Sequence, residues 1–236
     1  MSRSSTDASR RRQVAPDGLG PLSRKSVAQV RADLKAFKPR YKQDWRDWMN
    51  TLASHPLVAP ETVAQCRRVL AKWQAVRSKT KGRRVRLPRG LAIAGTRCLD
   101  DVFADALPAL NILGRETVRD VPNLSSAGRG ALLELWDVFS DLPTIGTARA
   151  VGITKAVKLV TGGRIGPAFD SEVRKHLGLP EPLDGGQWLD ALAAVAQDIQ
   201  TFESANGCRL EQLVETEWQP IAIGRAYDMV FGPKGT

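Results

Sequence analysis

The chain has 236 residues, 42% of them hydrophobic, and a formal charge of +10 at pH 7, enough for one large helical domain with its own core. Its mean hydropathy of -0.26, and the absence from the sequence of any apolar run as long as a bilayer span, argue against a membrane protein. Three scattered cysteines without a CxxC pair, and only two histidines, argue against a disulfide scaffold and against zinc or iron–sulfur ligation.

Taken in chain order, residues 1–25 hold six basic and two acidic groups and no apolar signal core, so a disordered basic arm is expected rather than a secretory leader. A helical domain then fills residues 26–236. Ser26 is placed to cap a helix whose face is Val27, Val30, Leu34 and Phe37. Trp45, Trp48, Met49 and Leu52 form a second stripe, stopped by His55-Pro56. Val63, Cys66, Leu70 and Trp73 form a third, with Pro60 in its first turn. From Arg67 to Arg89 there are ten Lys/Arg and no acid, so the excess charge sits in the arm and in this one stripe. Such localisation favours a polyanion at a defined surface, most often nucleic acid. Within the stripe lies the basic loop 78–90, SKTKGRRVRLPRG, whose VRL suits a brief extended piece. Its Lys81, Arg83, Arg84 and Arg86 could track phosphates, or could simply be solvated.

Residues 97–113 read as helix broken at Pro108. Ser125 or Ser126 caps the next helix, with Leu132, Leu135, Trp136 and Phe139 on its face. A helix from about Thr147 to Val160 follows a tight turn, another opens near Asp170 and stops at Gly178, and Trp188, Leu192, Val195, Ile199 and Phe202 give a long stripe ended by Asn206-Gly207. A last helix spans about Ile221 to Phe231. Tryptophans 45, 48, 73, 136 and 188 sit on apolar stripes and are expected in the core. No alternating strand pattern competes, so the fold class is all-α.

The turn Leu142-Pro143-Thr144-Ile145-Gly146-Thr147-Ala148-Arg149-Ala150 joins two helices through a glycine. Amides from Gly146 to Arg149 would be unpaired at a helix N-terminus, which is a phosphate site needing no base recognition. Thr144, Gly146, Thr147 and Arg149 are the expected contacts. Further along, Thr147, Thr154, Lys155, Lys158 and Thr161 share one side of the helical wheel, opposite Ile153, Ala156, Val157 and Val160. That face suits a nucleic-acid backbone, or is the solvated side of an amphipathic helix. Asp170 can cap the amides of residues 172 and 173.

Ile145, Gly146 and Ala150 match the helix-hairpin-helix motif, with Thr144 where its first glycine is usual. Hairpin, helix, a glycine/proline loop and Phe169-Asp170-Ser171-Glu172-Val173 together resemble the helix-hairpin-helix DNA glycosylase superfamily, over roughly residues 120–180. The resemblance implies a two-lobed helical fold with its hairpin module at about 125–178, and excision of a damaged or modified base flipped from double-stranded DNA. It implies that Asp170 stabilises positive charge developing on the sugar, and no metal or cofactor. Strand-cutting members place a lysine nucleophile two residues after the second glycine, where this chain has Ala148. Either the enzyme is monofunctional, or Lys155, two turns further on, takes that place. The four-cysteine cluster pattern of some branches is missing. A monomer acting in the cytoplasm, on the nucleoid, or in a nucleus is the corresponding expectation. Two alternatives remain open: a non-catalytic DNA-binding module on the same scaffold, and an RNA-binding or scaffolding helical protein.

Overall fold

A computed structural model describes residues 20–73, 75, 78–80, 83–85, 99–140, 142, 149–182 and 184–235, with 78–80 and 83–85 described by backbone alone. Among them run helices α1 (Val27–Ala36), α2 (Pro39–Ser54), α3 (Pro60–Lys72), α4 (Leu99–Leu113), α5 (Ser126–Ser140), α6 (Arg149–Val160), α7 (Ser171–Leu177), α8 (Gly185–Asn206) and α9 (Ile223–Phe231). Short 3-10 turns occupy Val118–Asn123, Leu210–Leu213 and Thr216–Trp218. The chain is helical, as its periodicity implies. Among the described residues the exception is an antiparallel ribbon in the basic connection, β1 (Ser78–Thr80) and β2 (Arg83–Val85), paired Ser78 to Val85 and Thr80 to Arg83.

Local chemistry sets most boundaries. Ser26 and Gln29 form a capping box: the Gln29 amide donates to Ser26 Oγ at 3.2 Å and the Ser26 amide to Gln29 Oε1 at 2.8 Å. Ser125 caps α5, its Oγ accepting from the Gly128 amide at 3.1 Å. Gly178 and Gly207 close α7 and α8 in the left-handed conformation, at φ 64° and 63°. Pro108 does not break α4, contrary to the sequence expectation; the helix runs through it. Its ring and the residue four back, Ala104, both face solvent, so the carbonyl that loses its N–H partner can bind water instead.

The five patterned tryptophans are all buried. Trp48 donates its indole N–H to the Leu159 carbonyl at 2.9 Å and so fastens α2 to α6. Buried Asp198 on α8 accepts from the amides of Leu22 and Ser23, each at 2.9 Å, and from Tyr227 Oη at 2.8 Å. One carboxylate thereby joins the segment before α1 to α8 and α9. Helices α4 and α8 pack on α5, while α1 and α7 pack on α9. Between these groups lies α6, which touches α5 and α3 and is buried along most of its length. Among the described residues no helix is long and apolar enough to cross a membrane.

Candidate active site

After α6 the chain turns sharply through Gly162 and Gly163, at φ 59° and 76°. The Gly163 amide closes the helix on the Lys158 carbonyl at 2.8 Å, and its own carbonyl accepts the Arg225 amide at 3.0 Å. A side chain on Gly224 would meet the Gly163 oxygen at 2.7 Å and the Gly166 nitrogen at 3.0 Å, so the loop and the start of α9 lie backbone to backbone. At the far end of the loop, the Phe169 amide donates to the buried Thr154 hydroxyl at 3.0 Å. These contacts fix Asp170 over α6 and beside α9.

Asp170 is the N-cap of α7, with Oδ1 accepting from the amides of Glu172 and Val173, both at 3.1 Å. It is only partly buried, and it also lines a cavity of about 40 Å³ with Lys155, Lys158, Arg225 and Asp228. Phe37, Tyr41 and Trp73 supply the aromatic walls. Lys158 Nζ donates to Asp228 Oδ2 at 2.8 Å and stands 4.7 Å from the Trp73 ring centre. Arg225 donates Nη1 to the same Asp228 oxygen and Nη2 to the Tyr41 carbonyl at 3.0 Å. Its guanidinium lies 4.8 Å from the Phe37 ring centre and 5.1 Å from that of Trp45. Lys155 Nζ donates to the Trp73 carbonyl at 2.8 Å.

Three cations thus share a small volume with two carboxylates. Burial is the chief reason that the Lys158 ammonium falls from 10.5 to about 8; Asp228 opposes the fall and Arg225 adds to it. Burial pushes Asp228 up, but Lys158 and Arg225 outweigh it and hold its pKa below the ordinary value. Asp170 is raised, first by burial and then by Asp228, against the Val173 amide and the two lysines. A carboxylate raised in this way is a better proton acceptor than an exposed one.

The structure places Asp170 and Lys155 on the same cavity and corrects the expectation for Lys158. Thr154, Lys158 and Thr161 are 1–2% exposed and face the interior, so the polar side of α6 is no solvated phosphate face. Their polar atoms are satisfied within the fold, Lys158 by Asp228 and Thr161 by the Val157 carbonyl at 2.7 Å. Arg149 is exposed at the first position of α6. Thr144, Gly146, Thr147, Lys81 and Arg86 lie outside the described residues, and Arg83 and Arg84 are placed by backbone alone in β2. Arg225, Asp228, Tyr41 and Phe37 complete the cavity without having been marked by sequence. The available signal was a charged pair three residues apart in IGRAYDMVF, an otherwise apolar helix where an unpaired charge would be costly.

Comparisons with protein-family models, with characterised proteins and with solved structures give no match to this chain.

Proposed function

We propose that the protein binds double-stranded DNA and excises a damaged or modified base by hydrolysing its N-glycosidic bond, with Asp170 as the catalytic carboxylate. The observation that carries this reading is the position of Asp170: a raised, partly open carboxylate at the start of α7, one loop after α6, beside two lysines and three aromatic rings. Bond cleavage leaves positive charge on the sugar, and a fixed carboxylate facing it stabilises that charge as it develops. The base departs with the bonding electrons and takes a proton from solvent; water then adds its oxygen to the anomeric carbon and gives its proton to Asp170, which returns it to solvent. Surplus positive charge around the cavity favours the phosphates flanking an everted nucleotide. Lys155 is engaged by the Trp73 carbonyl, which favours a monofunctional enzyme over one that forms an imine.

A second reading, a non-catalytic DNA-binding module, is favoured by the size of the cavity. At about 40 Å³ it holds little more than one water, far less than a nucleobase. Base release from duplexes bearing alkylated, oxidised or deaminated bases decides between them. Release by the native chain that Asp170→Asn abolishes supports the first reading; duplex binding without release supports the second. Asn caps a helix about as well as Asp, so the variant stays folded. A borohydride-trapped adduct lost in Lys155→Ala would establish strand-cutting chemistry.

A further inference from the structure

We propose that a cleft between α2 and the segment leading into α9 binds a planar aromatic carboxylate of about two fused rings. The cleft has a volume of about 270 Å³ and shares only Arg225 with the cavity around Asp170. Its walls are the indoles of Trp45 and Trp218 and the thioethers of Met49 and Met229, surfaces that receive a flat apolar body. That volume lies just under the lower end of drug-sized pockets, roughly 300 Å³, and suits a ring system rather than a chain-like ligand.

Two further observations fix the polar end of the ligand. The Trp218 indole N–H and the Arg225 Nε–H are buried and have no acceptor. Both are donors on residues that line the cleft, so a ligand there must bring acceptors. The lining is also cationic. Arg46 lies 4.2 Å and Lys42 5.2 Å from the centre of the Trp218 ring, against one carboxylate in the wall, that of Glu217. Lys42 already pairs with Glu215 at 3.2 Å, whereas Arg46 donates only to the Glu217 carbonyl, at 3.1 Å, and has no carboxylate partner among the described residues. An anion on an aromatic body answers all three features, and none of them depends on the chemistry proposed for Asp170.

Titration of the full chain with 2-naphthoate, 2-naphthylmethanol and 2-naphthylmethylamine, followed by calorimetry and ligand-observed NMR, tests the site. Saturable one-to-one binding of 2-naphthoate is expected, tighter than the alcohol by about tenfold and with no binding of the amine. Trp218→Phe, which keeps a ring and removes the donor, should weaken 2-naphthoate about fivefold. Ala53 lines the cleft from an exposed position on α2, so Ala53→Trp should fill it and abolish binding without altering the thermal melt. Asp170→Asn should bind normally. No saturable binding of 2-naphthoate, equal binding of the amine, or binding untouched by Ala53→Trp would each overturn the assignment.

Discussion

Asp228 serves two buried cations with one carboxylate, and removing its charge should be the most damaging single change around the cavity. Asp228→Asn preserves shape but takes from Lys158 and Arg225 the one carboxylate that both are bonded to. Breaking a buried pair from one side costs about 3–5 kcal/mol. Lys158, already lowered to about 8, can lose its proton instead, which holds the cost near the lower end, about 3 kcal/mol. In a chain of this size that is a fall of about 6–12 °C in Tm. Lys158→Met should behave quite differently, since Met fills the volume of the buried stem and leaves Arg225 paired with Asp228. Its cost should stay below about 1.5 kcal/mol. The pH dependence separates the two effects. Between about 8 and 10.5 the unfolded chain holds a proton on Lys158 that the folded chain has lost, so stability rises with pH across that window. The rise attributable to this group is up to about 3 kcal/mol, and Lys158→Met should flatten it. Urea unfolding at pH 7, 8.5 and 10, followed by tryptophan fluorescence, reads both quantities. A Lys158→Met variant as unstable as Asp228→Asn at pH 7, or one that tracks the native chain from pH 8 to 10, would show that Lys158 is an integral ion-pair partner rather than a surplus cation.

Three other outcomes follow from the same geometry. Gly224→Ala places a methyl group against the Gly163 carbonyl and the Gly166 amide and should cost about 1–3 kcal/mol, read as a lower urea midpoint at unchanged m. Any base release should decline as pH falls through the pKa of Asp170, which lies above the ordinary aspartate value, so the acid limb of the rate profile should sit higher than for an exposed carboxylate. Cys66 is fully buried and its thiol is pushed up by that burial, so peptide mapping after alkylation at neutral pH should find it unmodified in the folded chain and modified in denaturant.

Helix positions were legible because each rests on a local signal: the Ser26 capping box, Pro60 in a first turn, the glycines after α7 and α8, and stripes such as Trp188 to Phe202. The 3-10 turns at Val118–Asn123 and Leu210–Leu213 carried no such periodicity, being too short to show one. Asp170 was marked by its place before α7, and its capping bonds were expected from that place alone. What periodicity could not supply was the environment of α6. A helical wheel sorts residues by polarity and assumes that the polar side meets water. Here α5 and α3 pack against α6, and the side carrying Thr154, Lys158 and Thr161 is closed off as well.

The enclosure depends on a partner 70 residues away in sequence. Asp228 makes burial of Lys158 tolerable, and the Gly163 loop lies flat against the start of the helix that carries it. The same loop carries Asp170 to the cavity mouth. The contact between this loop and α9 adjoins both the buried ion pair and the carboxylate proposed to act on DNA, so strain introduced at Gly224 should reach both stability and base release. Asp170→Asn, which keeps the cap of α7, should reach only base release.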